Sequence, residues 1–227
     1  MNTLTYMYSQ GRVARVCSIP ERIHMKRVLL VHGIFMNPAV MTLLSKRLEK
    51  NGYETATFGY PFHPNEEDLS TKLQTKVSEW KPDVAIGHSL GGNILVRQLL
   101  KLDRCLQSII CLGSPLNGSS VAKRVQSSPF SPLVSPAAQE LLVGDLSIPE
   151  TDIKVGLIAG TSSYIGFNLI FRTLEGESDG TVGLHETKVK NLTDWVTVDV
   201  GHTALVTSEK VIPHIVSFIE QQRFVRI

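Results

Sequence analysis

Continuous apolar runs alternate along this chain with segments whose apolar residues recur at helical spacing. Arg27 to His32 (RVLLVH) is an apolar run ending at Gly33, the pattern of a strand buried on both faces. Asn37-Pro38 follows as an N-cap with proline at the first helical position. Val40, Leu43, Leu44 and Leu48 then repeat at helical spacing, and Asn51-Gly52 supplies a stop. Tyr53 to Tyr60 reads as a second strand. Leu69, Leu73, Val77 and Trp80 form one face of a second helix. Asp83 to Ile86 is a third strand, broken by Gly87, and Ile94, Leu95, Leu99 and Leu100 continue as a helix. Ser108 to Leu112, Lys154 to Ala159 and Trp195 to Val200 give three more strands, and Val211 to Gln222 a last helix.

Six strands interleaved with helices predict an α/β fold, with a mostly parallel sheet of about six or more strands and helices on both faces. Two stretches break the rhythm. Gly113 to Asp152 carries Ser127-Ser128-Pro129, Ser131-Pro132 and Ser135-Pro136, and only Ala137 to Val143 looks helical. Thr161 to Ser178 is mostly non-periodic. Long loops inside a domain are often functional. Neither a repeat nor a linker marks a second domain, so residues 1–227 read as one domain, with 113–152 as a candidate small cap. The first 26 residues carry a weak pattern that fits an antiparallel edge strand.

Composition narrows the classes. A chain of 227 residues can bury a full core without disulfides or metals. With 42% hydrophobic and 19% charged residues, a disordered or collagen-like chain is excluded. The formal charge of +2 argues against a nucleic-acid partner, since dedicated binders carry a strong basic excess. Cys17, Cys105 and Cys111 have no CxxC spacing, which points away from a disulfide framework and a structural zinc and toward free thiols in a reducing compartment. The N-terminal 26 residues show no apolar leader segment. The apolar stretch Lys154 to Arg172 is too short and too interrupted by glycine and polar residues to span a membrane. The expectation is a cytoplasmic protein with no transmembrane segment; the pattern says nothing of oligomeric state.

The sharpest local feature is Gly87-His88-Ser89-Leu90-Gly91-Gly92, which fits G-x-S-x-G between a strand (DVAI) and a helix (NILVRQLL). That strand–turn–helix setting is what a nucleophile elbow requires, and Gly87 and Gly91 supply the small flanks of its tight turn. A serine hydroxyl needs a base, and the base needs an orienting acid. Along the chain the acid follows such a serine and the histidine comes last. Of His185, His202 and His214, His202 stands just past the final strand, on the sheet edge expected for Ser89; His185 is the rival, and His214 sits inside a helical pattern. For the acid, Asp179 in the turn Ser-Asp-Gly-Thr leads, with Glu177 and then Asp199 behind it. An oxyanion hole needs backbone N–H donors. Leu90, after the nucleophile, offers one, and the loop His32-Gly33-Ile34-Phe35 the other, from Ile34 or, as runner-up, Phe35.

Together LLVHGIF, GHSLGG, SDGTVGLHET and VGHTALVTSEKV, in that order, resemble the α/β-hydrolase family, within it the small bacterial lipase and esterase branch. The resemblance spans most of the chain, from Val28 to near the C-terminus. It implies the α/β-hydrolase fold, a catalytic triad of Ser89, Asp179 and His202, and oxyanion donors at Ile34 and Leu90. Gly33, Gly87, His88 and Gly91 take supporting positions. It implies hydrolysis of a carboxylic ester, small-molecule or lipid-like, with no metal and no cofactor. Thioester hydrolysis or acyl transfer would use the same residues, and a non-catalytic binding member of the fold is the rival from another class. A small cap or nearly lidless site is expected instead of a large helical lid. Tyr164 to Phe171 (YIGFNLIF) is a candidate wall of an acyl pocket or ordinary core.

Overall fold

The apolar runs become strands and the periodic segments become helices, in the order the pattern predicts. The computed structural model describes residues 6–9, 12–15, 25–61, 65–100, 106–129, 131–144, 146–163 and 174–226. Six strands form one parallel sheet: β3 (Arg27–Val31), β4 (Glu54–Phe58), β5 (Val84–His88), β6 (Ser108–Leu112), β7 (Lys154–Gly160) and β8 (Asp194–Val198), in spatial order β4-β3-β5-β6-β7-β8. Two short strands, β1 (Tyr6–Ser9) and β2 (Arg12–Arg15), pair antiparallel with each other in a separate sheet. The N-terminal residues that pair are therefore not an edge of the large sheet, because each strand finds its partner within the same short segment.

Alternation along the central strands feeds two cores. Leu29, Val31, Ala85, Ile109 and Cys111 face one layer, built from α2 (Glu66–Trp80), α3 (Leu90–Leu99) and α5 (Pro136–Val143). Val28, Leu30, Val84, Ile86 and Ile110 face the other, built from α1 (Thr42–Lys50) and α8 (Ile212–Gln221). A strand buried on both faces has no polar side to spare, which is why these runs are continuously apolar. The helix signals hold locally. Asn37 Oδ1 accepts from Ala39 N–H at 2.9 Å ahead of Pro38, and Gly52, with φ of +87°, follows the end of α1. Leu69, Leu73 and Val77 of α2 are buried.

The 113–152 stretch holds two helices where the pattern predicts one. Beside α5 there is α4 (Ser120–Gln126), capped by Ser119, whose Oγ accepts from Ala122 N–H at 3.1 Å. Two turns with three apolar residues are too little periodicity to read in advance. Ser135-Pro136, read as a loop signal, is the N-cap and first residue of α5. Three one-turn elements complete the helices used below: α6 (Leu184–Thr187), α7 (Ala204–Thr207) and a 3-10 turn at Glu209–Val211. Tyr164 to Phe171 lies outside the described residues.

The strand order places the topological switch between β3 and β5, whose chain connections leave in opposite directions. Open parallel sheets bind ligands at the carboxyl ends of the strands flanking such a switch. There, β3 leads into His32-Gly33-Ile34 and β5 into Ser89.

Candidate active site

Ser89 sits between β5 and α3 with φ +52° and ψ −122°, a sparsely populated conformation for a residue with a side chain. The turn holds it there. Ser89 N–H donates to the Leu112 carbonyl at 2.8 Å, and its own carbonyl accepts from Gly92 N–H at 3.0 Å. The flanking glycines are required by close approach. A Cβ on Gly87 would stand 2.5 Å from the carbonyl carbon of Gly91, and one on Gly91 2.5 Å from the carbonyl oxygen of His32. Leu90 begins α3, so its N–H has no intrahelical acceptor and lies in the positive end of the helix dipole.

Asp179 and His202 meet at the same edge of the sheet. Asp179 is 1% exposed, and its Oδ2 accepts from His202 Nδ1–H at 2.7 Å. A carboxylate only accepts, so the proton is on Nδ1 and the Nε2 lone pair is free to take one. The other carboxylate oxygen, Oδ1, accepts from the N–H groups of Thr181 (2.9 Å) and Val182 (2.7 Å). The Asx-type turn and the contact to histidine are thus made by two oxygens of one group. The backbone repeats the link: His202 N–H donates to the Asp179 carbonyl at 3.0 Å. Gly180, with φ of +88°, allows the turn.

Two further imidazoles order the site. His88 is fully buried and its Nε2–H donates to the His202 carbonyl at 3.0 Å; the two rings lie 4.7 Å apart. Burial first, and then the neighbouring His202, push the His88 pKa down to about 3, so this ring is neutral. His32 Nδ1–H donates to the Gly33 carbonyl at 2.8 Å, and its ring stacks on Tyr60 at 4.3 Å. The Tyr60 hydroxyl donates to the His32 carbonyl at 2.9 Å. Burial lowers the His32 pKa. In a trans peptide the C=O and the following N–H point opposite ways. A Gly33 carbonyl held by His32 therefore turns the Ile34 N–H away from that ring. Gly33 itself lies against the elbow: a Cβ there would be 3.1 Å from Ser89 Cβ.

An apolar pocket opens at Ser89. Ile34 and Phe35 line it from the first loop, Val121, Ala122 and Val125 from α4, and Val134 and Leu142 from the turn and helix beyond; Thr181 and Val182 border it from the acid loop.

The structure thus joins Asp179 to His202 directly and ties the residue before Ser89 to the histidine loop. Ser89 Oγ itself makes no hydrogen bond to the His202 ring; catalytic hydrogen bonds are often long until a substrate tightens them. The rival residues stand elsewhere. His185 and Glu177 are exposed. His214 is buried in α8, edge-on to Phe224. Asp199 is exposed, with Lys210 Nζ at 3.9 Å. Among the described residues no cluster of three His, Cys, Asp or Glu side chains could hold a metal. No helix among them is long and apolar enough to cross a membrane.

Three residues join the site without having been singled out for it. The ring of His32 orders the first loop. Gly113, with φ of +58°, leaves room for the acid–histidine pair: a Cβ there would be 3.1 Å from Asp179 Oδ2 and 3.2 Å from His202 Nδ1. Its signal is the one that marks Gly33 and Gly87, a glycine ending an apolar run. Glu186, 2% exposed, accepts from Ser120 N–H (2.5 Å) at the start of α4 and from Gly183 N–H (2.8 Å) in the acid loop.

No protein-family model and no curated protein matches the sequence. Solved structures do match by shape. Lipase BlEst2 of Bacillus licheniformis aligns in its propeptide form with a TM-score of 0.74 at 18% identity, over 89% of this chain and 52% of that one. This chain therefore spans about half of the propeptide form. In the mature form the figures are 0.68 and 19%, over 88% and 92%. A carboxylesterase of Nitrososphaera gargenis aligns at 0.54 and 13%, over 96% of this chain and all of that one. With six parallel strands, helices on both faces and these structural neighbours, the chain has the α/β-hydrolase fold.

Proposed function

We propose that the protein is a serine hydrolase of carboxylic esters, with Ser89 as nucleophile, His202 as base and Asp179 as its orienting acid. The observation that carries this reading is the 2.7 Å hydrogen bond from His202 Nδ1 to a buried carboxylate, at the sheet edge where a strained elbow presents Ser89. Ser89 Oγ attacks the ester carbonyl as His202 Nε2 takes its proton. The carbonyl oxygen becomes an oxyanion and accepts from the N–H groups of Ile34 and Leu90. The imidazolium, stabilised by Asp179, protonates the alcohol oxygen and the alcohol departs, leaving an acyl-enzyme on Ser89. Water, activated by the same imidazole, adds to the acyl carbon and releases the acid with Ser89 restored. Supporting residues act through others: His88 on the His202 backbone, His32 on the Gly33 carbonyl, Gly87 and Gly91 on the turn. The helices of 113–152 serve as a small cap over a single catalytic unit.

The test is covalent labelling by a fluorophosphonate together with turnover of p-nitrophenyl butanoate. Both are expected of the wild-type protein and lost in Ser89→Ala. A folded wild-type protein that neither reacts nor turns over is a binding member of the fold, and the proposal fails.

A further inference from the structure

The geometry points to the pocket at Ser89 as a binding site for a short aliphatic acyl chain of about four to six carbons. This rests on the serine-hydrolase reading, since it takes Ser89 as the point of attack.

Which half of an ester fills the pocket follows from proton transfer. The departing alcohol oxygen must receive its proton from His202, so the alcohol lies on the histidine side. The pocket is lined by the first loop, α4, the α5 layer and Thr181 and Val182, and by no residue of the histidine loop. It therefore takes the acyl half. Among the described residues no charged side chain lines it. Of its hydroxyls, Ser119 Oγ already accepts from Ala122 N–H as the cap of α4. An uncharged hydrocarbon chain matches such walls, and a sugar or a dicarboxylate does not.

Size sets the length. The pocket has a volume of about 60 Å³. One water takes roughly 10–15 Å³ of such a volume, so the space holds about four to six groups of methylene size. Val134 and Leu142, each 7% exposed, line the pocket from the layer that packs on α3 and α4. Asn93, fully buried in α3, pins that layer by donating to the carbonyls of Leu141 (2.7 Å) and Pro115 (3.1 Å). This wall is thus fastened to the helix that begins at the nucleophile, and a chain that outgrows the pocket on this side must displace it.

The experiment is a series of p-nitrophenyl esters from acetate to decanoate. Each added methylene that finds space should raise kcat/KM about fourfold. The expected profile rises about 15-fold from acetate to butanoate, peaks at butanoate or hexanoate and falls at least tenfold by decanoate. Leu142→Ala should move the optimum to a longer ester than the wild-type one, and Ala122→Leu to a shorter one. A wild-type profile still climbing at decanoate, or both folded variants keeping the wild-type order of esters, overturns the inference. The two readings fail differently. A wrong pocket leaves Ser89 essential and changes only the order of esters, whereas a wrong nucleophile leaves Ser89→Ala active. Ligand-observed NMR of methyl esters with Ser89→Ala reads the pocket without turnover. Tightest binding of methyl butanoate or methyl hexanoate supports the inference, while binding that tightens steadily to methyl decanoate, or no binding of any ester, overturns it.

Discussion

The backbone of Ser89 is held where a side chain is costly, a debt of about 1–3 kcal/mol that the surrounding turn carries. Glycine bears that conformation without strain. Ser89→Gly should therefore stabilise the fold by a similar amount while abolishing turnover, as urea unfolding read beside an ester assay will show. At Asp179 both oxygens are engaged as acceptors. Asp179→Asn sets an amide N–H₂ either against His202 Nδ1–H or against the turn N–H groups. We expect kcat to fall by about 10³–10⁴ as the imidazole is driven to its other tautomer, with the far-UV spectrum unchanged. Gly113→Ala adds a methyl beside that pair on a left-handed backbone. The backbone cost is about 1–2 kcal/mol, and kcat/KM should fall by more than such destabilisation explains once measured well below the melting temperature.

Elements explain what could and could not be read from sequence. The elbow was legible because its requirements are local: an apolar strand, two glycines flanking a serine, a helix directly after. Asp179 and His202 could be singled out only through chain order and strand ends, since their separation of 23 positions reveals no contact. The ring of His32 was not legible because its stacking on Tyr60 is a tertiary contact, and the small size of Gly113 because it matters through Asp179 and His202, far along the chain. Glu186 shows the same limit between elements. Its carboxylate ties the first residue of α4 to the acid loop, although the acid-loop motif that contains it, SDGTVGLHET, shows nothing of the contact to α4. Glu186→Gln leaves at least one buried N–H facing an N–H₂. Stability should drop by about 1–3 kcal/mol, with a shift in ester preference if α4 moves; denaturant midpoints and the ester series measure the two effects.

At the scale of the whole molecule, buried imidazoles make stability depend on pH. His32, His88 and His214 all have pKa values lowered chiefly by burial. A histidine that is harder to protonate when folded leaves the unfolded chain holding more protons on the acid side. Stability is therefore complete above the unfolded value of about 6.5 and declines as pH falls below it. For His88 the decline runs down to about 3, at no more than about 1.4 kcal/mol per pH unit. His88→Gln keeps an N–H donor for the His202 carbonyl and removes the titration. Its melting temperature should depend less steeply on pH between 6 and 4 than that of the wild-type protein, by calorimetry.

The two walls formed by α4 and α5 come from a single stretch of chain, whereas the reactive groups come from the ends of β5, β8 and the acid loop. Reactivity and selectivity are thus written in separate paragraphs of the gene. Exchanging residues 118–146 for the matching stretch of another member of the fold should yield a chimaera with new taste and old chemistry, provided the stretch retains an N–H for Glu186 and, in place of Leu141, a carbonyl for Asn93 to grip.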